Sequence, residues 1–165
     1  MSEQIPVSIS VVVAAYGDVP YLEETLRSLV VTQPDSVPIY VLDDCSPTTE
    51  VHEIAHRFST RITYIRSEVN RGVSGSFNAA ADLVDTDYLM LVGPDDRVTS
   101  SLEDFLSKIE SDAYEAVVIQ PGVSVIDSSG ERVRPVNDRV KDFIAPKENS
   151  IHSGEDLAVT LLKGD

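Results

Sequence analysis

Short apolar runs alternate with amphipathic segments along the first two-thirds of the chain. The runs are rich in β-branched residues and have the pattern of strands covered on both faces. They lie at residues 7–15, 39–42, 62–65 and 88–92. Helical periodicity fills the intervals between them. This order predicts an α/β fold with three layers, α/β/α, built on a mainly parallel, twisted sheet.

The intervals also contain helix start signals. Asp18 is the expected N-cap of the first helix, and Thr48 or Thr49 that of the second. A glycine-bearing segment at 70–76 precedes a short alanine-rich helix, which we expect at 77–84. The spacing of Ser100 and Glu103 matches a capping box and predicts a further helix after the fourth strand.

The pattern weakens beyond residue 115. Residues 116–120 and 123–126 are typical of strands, and Asp127-Ser128-Ser129-Gly130 is typical of a turn. The polar stretch 131–150 has no clean period and predicts a loop. Ser153 and Asp156 again have capping-box spacing, which predicts a last helix.

The composition narrows the possible functions. With 28 acidic and 13 basic residues, the chain has a formal net charge of −15, which repels phosphate backbones and excludes nucleic acid as an expected partner. No apolar stretch is long enough to predict a direct membrane span. The single cysteine, Cys45, cannot form an internal disulfide and fits a cytoplasmic location.

Two pairs of adjacent carboxylates carry the candidate chemistry. Asp43-Asp44 follows the second predicted strand, and Asp95-Asp96 follows the fourth. Ligands of open α/β sheets bind beyond the carboxyl ends of the strands, so both pairs are expected to face one crevice. The simpler interpretation, an aspartate that caps a helix or forms a turn, explains either pair taken singly. Adjacent side chains diverge, so we expect one member of each pair to reach a ligand.

A competing motif lies in the second helix. His52-Glu53-Ile54-Ala55-His56 matches H-E-x-x-H, in which two histidines one turn apart bind zinc and the glutamate acts as general base. The sequence therefore leaves a zinc-dependent hydrolase open as an alternative. Two histidines on the solvated side of an amphipathic helix are the simpler interpretation.

Several segments together resemble a family 2 glycosyltransferase with the GT-A fold. The resemblance covers about the first two-thirds of the chain and includes Ser8–Tyr16, Leu42-Asp43-Asp44-Cys45-Ser46, Asn70-Arg71-Gly72 with Asn78-Ala79-Ala80, and Tyr88–Asp96. It implies an inverting enzyme that binds a nucleoside diphosphate sugar, such as a UDP-sugar, with Mg²⁺ or Mn²⁺ and transfers the sugar to an acceptor hydroxyl. The acceptor, saccharide or lipid-linked, stays unknown.

The resemblance also implies roles for individual residues. Those expected to bind the nucleotide are Ala14, Ala15, Tyr16, Asp18, Asp43, Asp44 and Arg71, and those expected to hold the metal are Asp95 and Asp96. Two departures from the family pattern are visible. Ala14-Ala15-Tyr16 stands where relatives have a Pro-x-Tyr-like segment, and Gly93-Pro94-Asp95-Asp96 lacks the first acid of Asp-x-Asp-Asp.

The general base of the transfer reaction has no candidate in this sequence. By the family layout it should lie near or beyond Asp165, so we expect a donor-binding core at 1–126 and, at 127–165, a loop and the start of an acceptor-side region that is cut short. A non-catalytic regulatory module is a third possibility, because acidic strand ends also occur in doubly wound phospho-acceptor domains.

Overall fold

A parallel sheet forms the centre of the molecule. The computed structural model describes residues 7–102, 104, 107 and 122–133. Within them, β1 (Ile9–Ala15), β2 (Ile39–Asp43), β3 (Ile62–Arg66) and β4 (Tyr88–Val92) form a four-stranded sheet in the order β3-β2-β1-β4. All three strand pairings are parallel. The predicted strands and the predicted parallel sheet are confirmed.

The register aligns the carboxyl ends of the strands. Ala15 of β1 lies opposite Asp43 of β2, and Val13 of β1 lies opposite Val92 of β4. β1 is central, and Val11, Val12 and Val13 are fully buried, as expected of a strand with neighbours on both sides and helices on both faces. The segments that leave β1, β2 and β4 therefore start side by side at one edge of the sheet.

Helices cover both faces of this sheet. On one face, α1 (Leu22–Thr32) and α2 (Glu50–His56) pack against alternate strand residues such as Val11, Val13 and Val41. On the other face, α3 (Gly72–Leu83) packs through Ala80 on Val12 and Leu42. This arrangement gives the three layers that the sequence predicts.

The apolar stripe of α1 anchors the larger core. Leu22, Leu26 and Leu29 follow one another at helical spacing and are fully buried. Burying a leucine side chain contributes about 1.5–3 kcal/mol, so this stripe is a main source of stability for its face of the sheet. The other face has a smaller buried cluster, which consists of Val12, Leu42 and Ala80.

The predicted cap of α1 is wrong. The helix begins at Leu22, after Tyr21, and no side chain caps it, while Asp18 is exposed. Val19 explains the later start: its side chain is buried in the core, and its carbonyl accepts the Leu22 N–H at 3.1 Å. Because Val19 is buried outside the helix, α1 begins only after it, at Leu22.

The start of α2 agrees with its prediction. Thr49 occupies the N-cap position. Its hydroxyl, however, donates to Glu53 Oε1 at 2.6 Å instead of accepting a backbone N–H. After the fourth strand, Leu102, Asp104 and Ser107 are helical, in agreement with the predicted helix, whose other residues lie outside the described part.

The chain divides into two compact units, Met1–Tyr114 and Glu115–Asp165. In the described part of the second unit, the predicted turn at Asp127–Gly130 is present, and the Asp127 carboxylate accepts the N–H groups of Ser129 and Glu131. The strand predicted at 123–126 is reduced to one antiparallel bridge between Ile126 and Arg132. The predicted strand at 116–120, the loop beyond residue 133 and the last helix lie outside the described residues.

No helix within the described ranges is long and apolar enough to cross a membrane. The predicted division into a donor-binding core at 1–126 and an acceptor-side region after it concerns function and stays a prediction.

Candidate functional site

A cavity of about 550 Å³ opens at the carboxyl ends of β1, β2 and β4. Side chains alternate along a strand, so Ala14, Asp44 and Leu91 point to the face that α3 covers, as Val12 and Leu42 do. The wall consists of the end of β1, the first two turns of α3 and the residues that follow β4. This is the edge at which the acid pairs predict a crevice.

Asp44 connects β2 to the start of α3. Its carboxylate accepts the N–H of Arg71 through Oδ1 and that of Gly72 through Oδ2, both at 2.9 Å. These are orphan donors of a helix N-terminus, where a negative charge is favourable. Asp44 is 4 % exposed and lines the cavity. It therefore fixes the start of the helix from a position in the cavity wall.

Asp44 also explains why the predicted start of α3 is wrong. The helix begins at Gly72 instead of Phe77, because its first N–H groups find their acceptor in a residue that lies 28 positions earlier in the sequence. Gly72 has φ +67°, a left-handed conformation that side chains disfavour.

Asp43 points to the opposite face of the sheet and is fully buried. Its Oδ1 accepts the Ser46 N–H at 2.7 Å, and its Oδ2 accepts Tyr64 Oη–H and an Arg66 guanidinium N–H, both at 2.6 Å. Burial alone would raise the pKa of Asp43, but the hydrogen bonds from Ser46 and Tyr64 and the charge of Arg66 outweigh it and lower that pKa below its usual value. Asp43 is therefore charged, and it accepts its hydrogen bonds from Ser46, Tyr64 and Arg66 of the protein itself.

The Asp43 cluster also holds the loop that carries Tyr16. Arg66 donates to the Ser46 carbonyl at 2.7 Å, and Ser46 Oγ accepts the Gly17 N–H at 3.2 Å. Tyr16, directly before Gly17, stays 52 % exposed at the cavity. The ion pair between the buried Asp43 and the partly exposed Arg66, on one face of the sheet, is thus connected through Ser46 and Gly17 to Tyr16 at the cavity on the other face.

Asp95 and Asp96 fold back over Gly93. A Cβ atom at Gly93 would lie 2.9 Å from both Asp95 Oδ1 and Asp96 Oδ2, and the Gly93 N–H donates to Asp96 Oδ2 at 3.0 Å. The missing side chain leaves the space that the two carboxylates occupy. They supply two oxygen donors, and no group of three or more potential metal-binding side chains occurs among the described residues. A metal held here needs further ligands from water or substrate.

The rest of the cavity wall is largely apolar. Four large side chains at the cavity are exposed: Tyr16, Val73, Phe77 and Leu91. Clustered exposed apolar side chains indicate a binding surface. Among the residues that the structure describes, the charged residues of the wall are Asp44 and Asp96, and no lysine or arginine is part of it. An anionic ligand therefore finds no fixed positive charge within this wall.

The structure brings together part of the predicted site. Among the residues of the described segments, the cavity wall contains Ala14, Ala15, Tyr16, Asp44 and Asp96, and it does not contain Asp18, Asp43, Arg71 or Asp95. Arg71 contributes its backbone N–H, and its exposed side chain packs against Gly75, where an added Cβ would lie 2.5 Å from Arg71 Cβ.

Sequence reasoning missed the cavity residues contributed by α3. Val73, Ser76 and Phe77 line the wall, but the prediction assigned Val73 and Ser76 to a loop because it started the helix at residue 77. The local signal that points to them is weak, since the carboxylate that starts this helix belongs to Asp44 in a distant segment.

The H-E-x-x-H motif lies on the other face of the sheet, in α2. The His52 and His56 ring centroids are 5.9 Å apart, and His52 contacts the Tyr64 ring edge-to-face at 5.0 Å. Glu53 accepts the Thr49 hydroxyl. The described residues provide no third ligand beside the two histidines, so the geometry does not favour the zinc alternative.

Comparison with known proteins identifies relatives over most of the chain. The model of the family described as glycosyl transferase family 2 matches residues 10–154. An uncharacterized glycosyltransferase from Haemophilus influenzae is 30% identical over 88 residues, which cover 53% of this chain and 29% of that protein. The chain thus matches less than a third of that relative's length.

Solved structures share the fold. The structure of S. aureus TarS 1–349 in complex with UDP has a TM-score of 0.57 and 25% identity, over 64% of this chain and 32% of that one. The mannosyltransferase PcManGT from Pyrobaculum calidifontis, in complex with GDP-Man and Mn²⁺, has a TM-score of 0.56 and 17% identity, over 68% of this chain and 34% of that one.

Proposed function

The chain belongs to glycosyl transferase family 2, and we propose that its cavity binds a nucleoside diphosphate sugar together with a divalent cation, for transfer of the sugar to an acceptor hydroxyl. The observation that supports this proposal is that Tyr16, Asp44 and Asp96 line one cavity, which lies at the carboxyl ends of three parallel strands. Tyr16 suits the aromatic base of such a ligand, and Asp44 suits its polar nucleoside atoms. Asp96 suits the cation that accompanies its charged phosphates.

We assign the nucleoside to the end of the cavity formed by Tyr16 and Asp44. An exposed aromatic ring offers a face on which a base can stack, and Val73 and Phe77 add apolar surface at the same cavity. Asp44 accepts N–H groups from a ligand as well as from the helix, because a carboxylate has about four lone-pair sites. In this assignment Asp43 does not touch the nucleotide but positions Ser46 and, through it, the Tyr16 loop.

We assign the diphosphate and the cation to the Asp95–Asp96 end. The two carboxylates converge above Gly93, and their oxygen atoms are the donors that Mg²⁺ and Mn²⁺ prefer. The cation would neutralise the charge of the leaving nucleoside diphosphate. The composition of the wall supports this role, because a diphosphate beside Asp44 and Asp96 meets two negative charges and no lysine or arginine of the described segments.

The start of α3 does not replace the cation. A helix N-terminus is commonly a phosphate site, but here the Asp44 carboxylate already occupies the first two N–H groups. A phosphate at this point would lie against that carboxylate.

The acceptor and the general base stay unassigned, and we place the protein in the cytoplasm on the basis of its one free thiol, Cys45.

Calorimetry on the whole chain tests the proposal. UDP and GDP serve as probes because the TarS and PcManGT structures contain UDP and GDP-Man, and Mn²⁺ is the cation in the latter. dTDP serves as a third probe. We expect at least one nucleotide to bind in a Mn²⁺-dependent manner. The double substitution Asp95→Ala with Asp96→Ala should abolish the Mn²⁺-dependent part of the binding.

The matched control removes the same charge elsewhere. Asp82 and Asp85 are exposed and lie outside the cavity wall, so Asp82→Ala with Asp85→Ala should leave the dissociation constant unchanged. Absence of binding for all three nucleotides in the presence of Mn²⁺ would refute the proposal. Equal affinity in the wild type and the Asp95/Asp96 double variant would refute the assignment of the metal.

A further inference from the structure

Ser76 is a buried polar residue in the cavity wall. It lies in the second turn of α3, is 2 % exposed and lines the cavity. Its Oγ atom has no hydrogen-bond partner among the residues that the structure describes, and it is the one buried side-chain oxygen or nitrogen there of which this holds. Buried polar groups normally have partners, so this hydroxyl needs an explanation.

The helix does not supply the partner. A serine inside a helix often donates to the carbonyl four residues earlier, which here belongs to Gly72, but this bond is not formed. Ala80, one turn later on the same face, packs on the sheet as an alanine. An alanine at position 76 would improve helix propensity and bury no unpaired hydroxyl. For the ligand-free protein, Ser76 is therefore the less stable choice.

We propose that Ser76 Oγ forms a hydrogen bond with the nucleoside part of the bound nucleotide and contributes to its recognition. The inference rests on the proposed function, since it requires a nucleotide in this cavity. A serine hydroxyl both donates and accepts, which matches a ribose hydroxyl or a base carbonyl. Val73, Phe77 and Leu91 add exposed apolar surface to the same wall, and a nucleotide that covers them removes water from around this hydrogen bond and so strengthens it.

The position of Ser76 favours the nucleoside over the phosphates. Ser76 lies one helical turn after Gly72, whose N–H is bound to the Asp44 carboxylate. The negative charge of Asp44 makes this end of the cavity unfavourable for a phosphate. The neutral hydroxyl of Ser76 does not offset the repulsion between Asp44 and a phosphate. It can, however, form a hydrogen bond with a polar atom of the uncharged nucleoside.

The substitution Ser76→Ala tests the inference through two readouts with opposite signs. Calorimetry with UDP, or with GDP if the wild type binds GDP instead, should give a dissociation constant about 5–10 times higher, as expected for one neutral hydrogen bond. The melting temperature of the nucleotide-free protein should rise by about 2–4 °C, because a buried unpaired hydroxyl is removed. A serine with only a structural role would not weaken binding while stabilising the free protein.

The neighbouring Ser74 provides the matched control. It is exposed, belongs to the same helix and is not part of the cavity wall, so Ser74→Ala should leave the dissociation constant within about twofold of the wild-type value. The corresponding nucleoside monophosphate should show the same loss of affinity with Ser76→Ala as the diphosphate does.

Three results would overturn the inference. If the wild type binds the nucleotide and Ser76→Ala binds it equally well, the hydroxyl makes no contact, while the proposed function stands. If Ser76→Ala weakens binding of the diphosphate but not of the monophosphate, the contact lies on the terminal phosphate. If the wild type binds no nucleotide at all, the proposed function fails and the inference fails with it.

Discussion

The buried carboxylate of Asp43 offers a direct test of how the two faces of the sheet are connected. Replacing Asp43 with alanine removes the acceptor of three hydrogen bonds, from Ser46, Tyr64 and Arg66. The backbone of β2 is not altered, since aspartate and alanine both adopt strand geometry. The expected loss of stability therefore comes from the three donors, which lose their hydrogen-bond acceptor.

The magnitude follows from the environment of each donor. All three hydrogen bonds are made to an ionised carboxylate; those from the neutral donors of Ser46 and Tyr64 contribute about 1–1.5 kcal/mol each, and the one from Arg66 contributes up to about 2 kcal/mol. The Arg66 side chain is 42% exposed, so water rehydrates part of its charge after the substitution. We expect Asp43→Ala to lower the free energy of unfolding by about 3–4 kcal/mol. Asp43→Asn keeps the size and one acceptor oxygen and should lower it by about 1–2 kcal/mol.

The pH dependence distinguishes a charge effect from a packing effect. The hydrogen bonds from Ser46 and Tyr64 and the charge of Arg66 hold the pKa of Asp43 in the folded protein below its ordinary value. A group with a depressed folded pKa stabilises the fold above its unfolded pKa, and this stabilisation is lost as the pH falls through the folded pKa. The stability difference between wild type and Asp43→Asn should thus be constant from about pH 5 to pH 7 and shrink below about pH 4.

Urea denaturation at several pH values measures these quantities. The midpoint should shift without a change in slope, because the surface exposed on unfolding is the same in the variants. Asp82→Asn, an exposed substitution on α3, serves as the control and should stay within about 0.5 kcal/mol of wild type. An Asp43→Ala protein that is as stable as wild type, or a difference that does not change with pH, would refute the reasoning.

Two glycines give further predictions. Gly93→Ala should weaken Mn²⁺-dependent UDP binding about tenfold while changing stability by less than about 1 kcal/mol, because the new Cβ displaces the two exposed carboxylates and no buried group; calorimetry with unchanged affinity would contradict this. Gly72→Ala should cost about 1–2 kcal/mol in urea denaturation, since φ is +67° and the space around a Cβ is open, so only the backbone opposes the change. A Gly72→Ala protein with wild-type stability would show that the helix starts elsewhere.

The strands were predictable because their signal is local. A run of β-branched apolar residues between polar segments identifies a buried strand without knowledge of its neighbours, and β4 starts and ends at the predicted residues. The parallel order follows from the helical periodicity between the runs. The signals that predict these parts of the fold therefore lie within short segments of the sequence.

The starts of α1 and α3 were less predictable because they depend on tertiary contacts. α1 begins late since Val19 is buried first, and α3 begins early since Asp44 accepts its first N–H groups. In α3 the acceptor lies 28 residues away in sequence, so no local window contains it. The cavity residues Val73 and Ser76 were missed for the same reason.

The two aspartates of the first acid pair show what a sequence motif alone predicts about a site and what it does not. The alternation of strand side chains predicts that Asp43 and Asp44 face opposite sides, but not which side holds the ligand. The structure decides this through α3, which covers only the face of Asp44. Arg66 belongs to no motif considered, but it lies opposite Asp43 in the neighbouring strand β3 and is its charge partner.

The second acid pair leads to the sharpest consequence for the proposed function. In the described part of the chain the cavity wall holds no positive side chain, its helix N-terminus is already bound to Asp44, and Gly93 leaves room for the two carboxylates to approach each other. Each of these features is unfavourable for a bare diphosphate, whereas a divalent cation bound by the two carboxylates attracts the phosphates and offsets the repulsion. Nucleotide affinity should therefore depend on the cation much more steeply than on nucleoside contacts. Removing Mn²⁺ with a chelator should lower UDP affinity more than Ser76→Ala does, and calorimetry that gives the reverse order would place the diphosphate outside this wall.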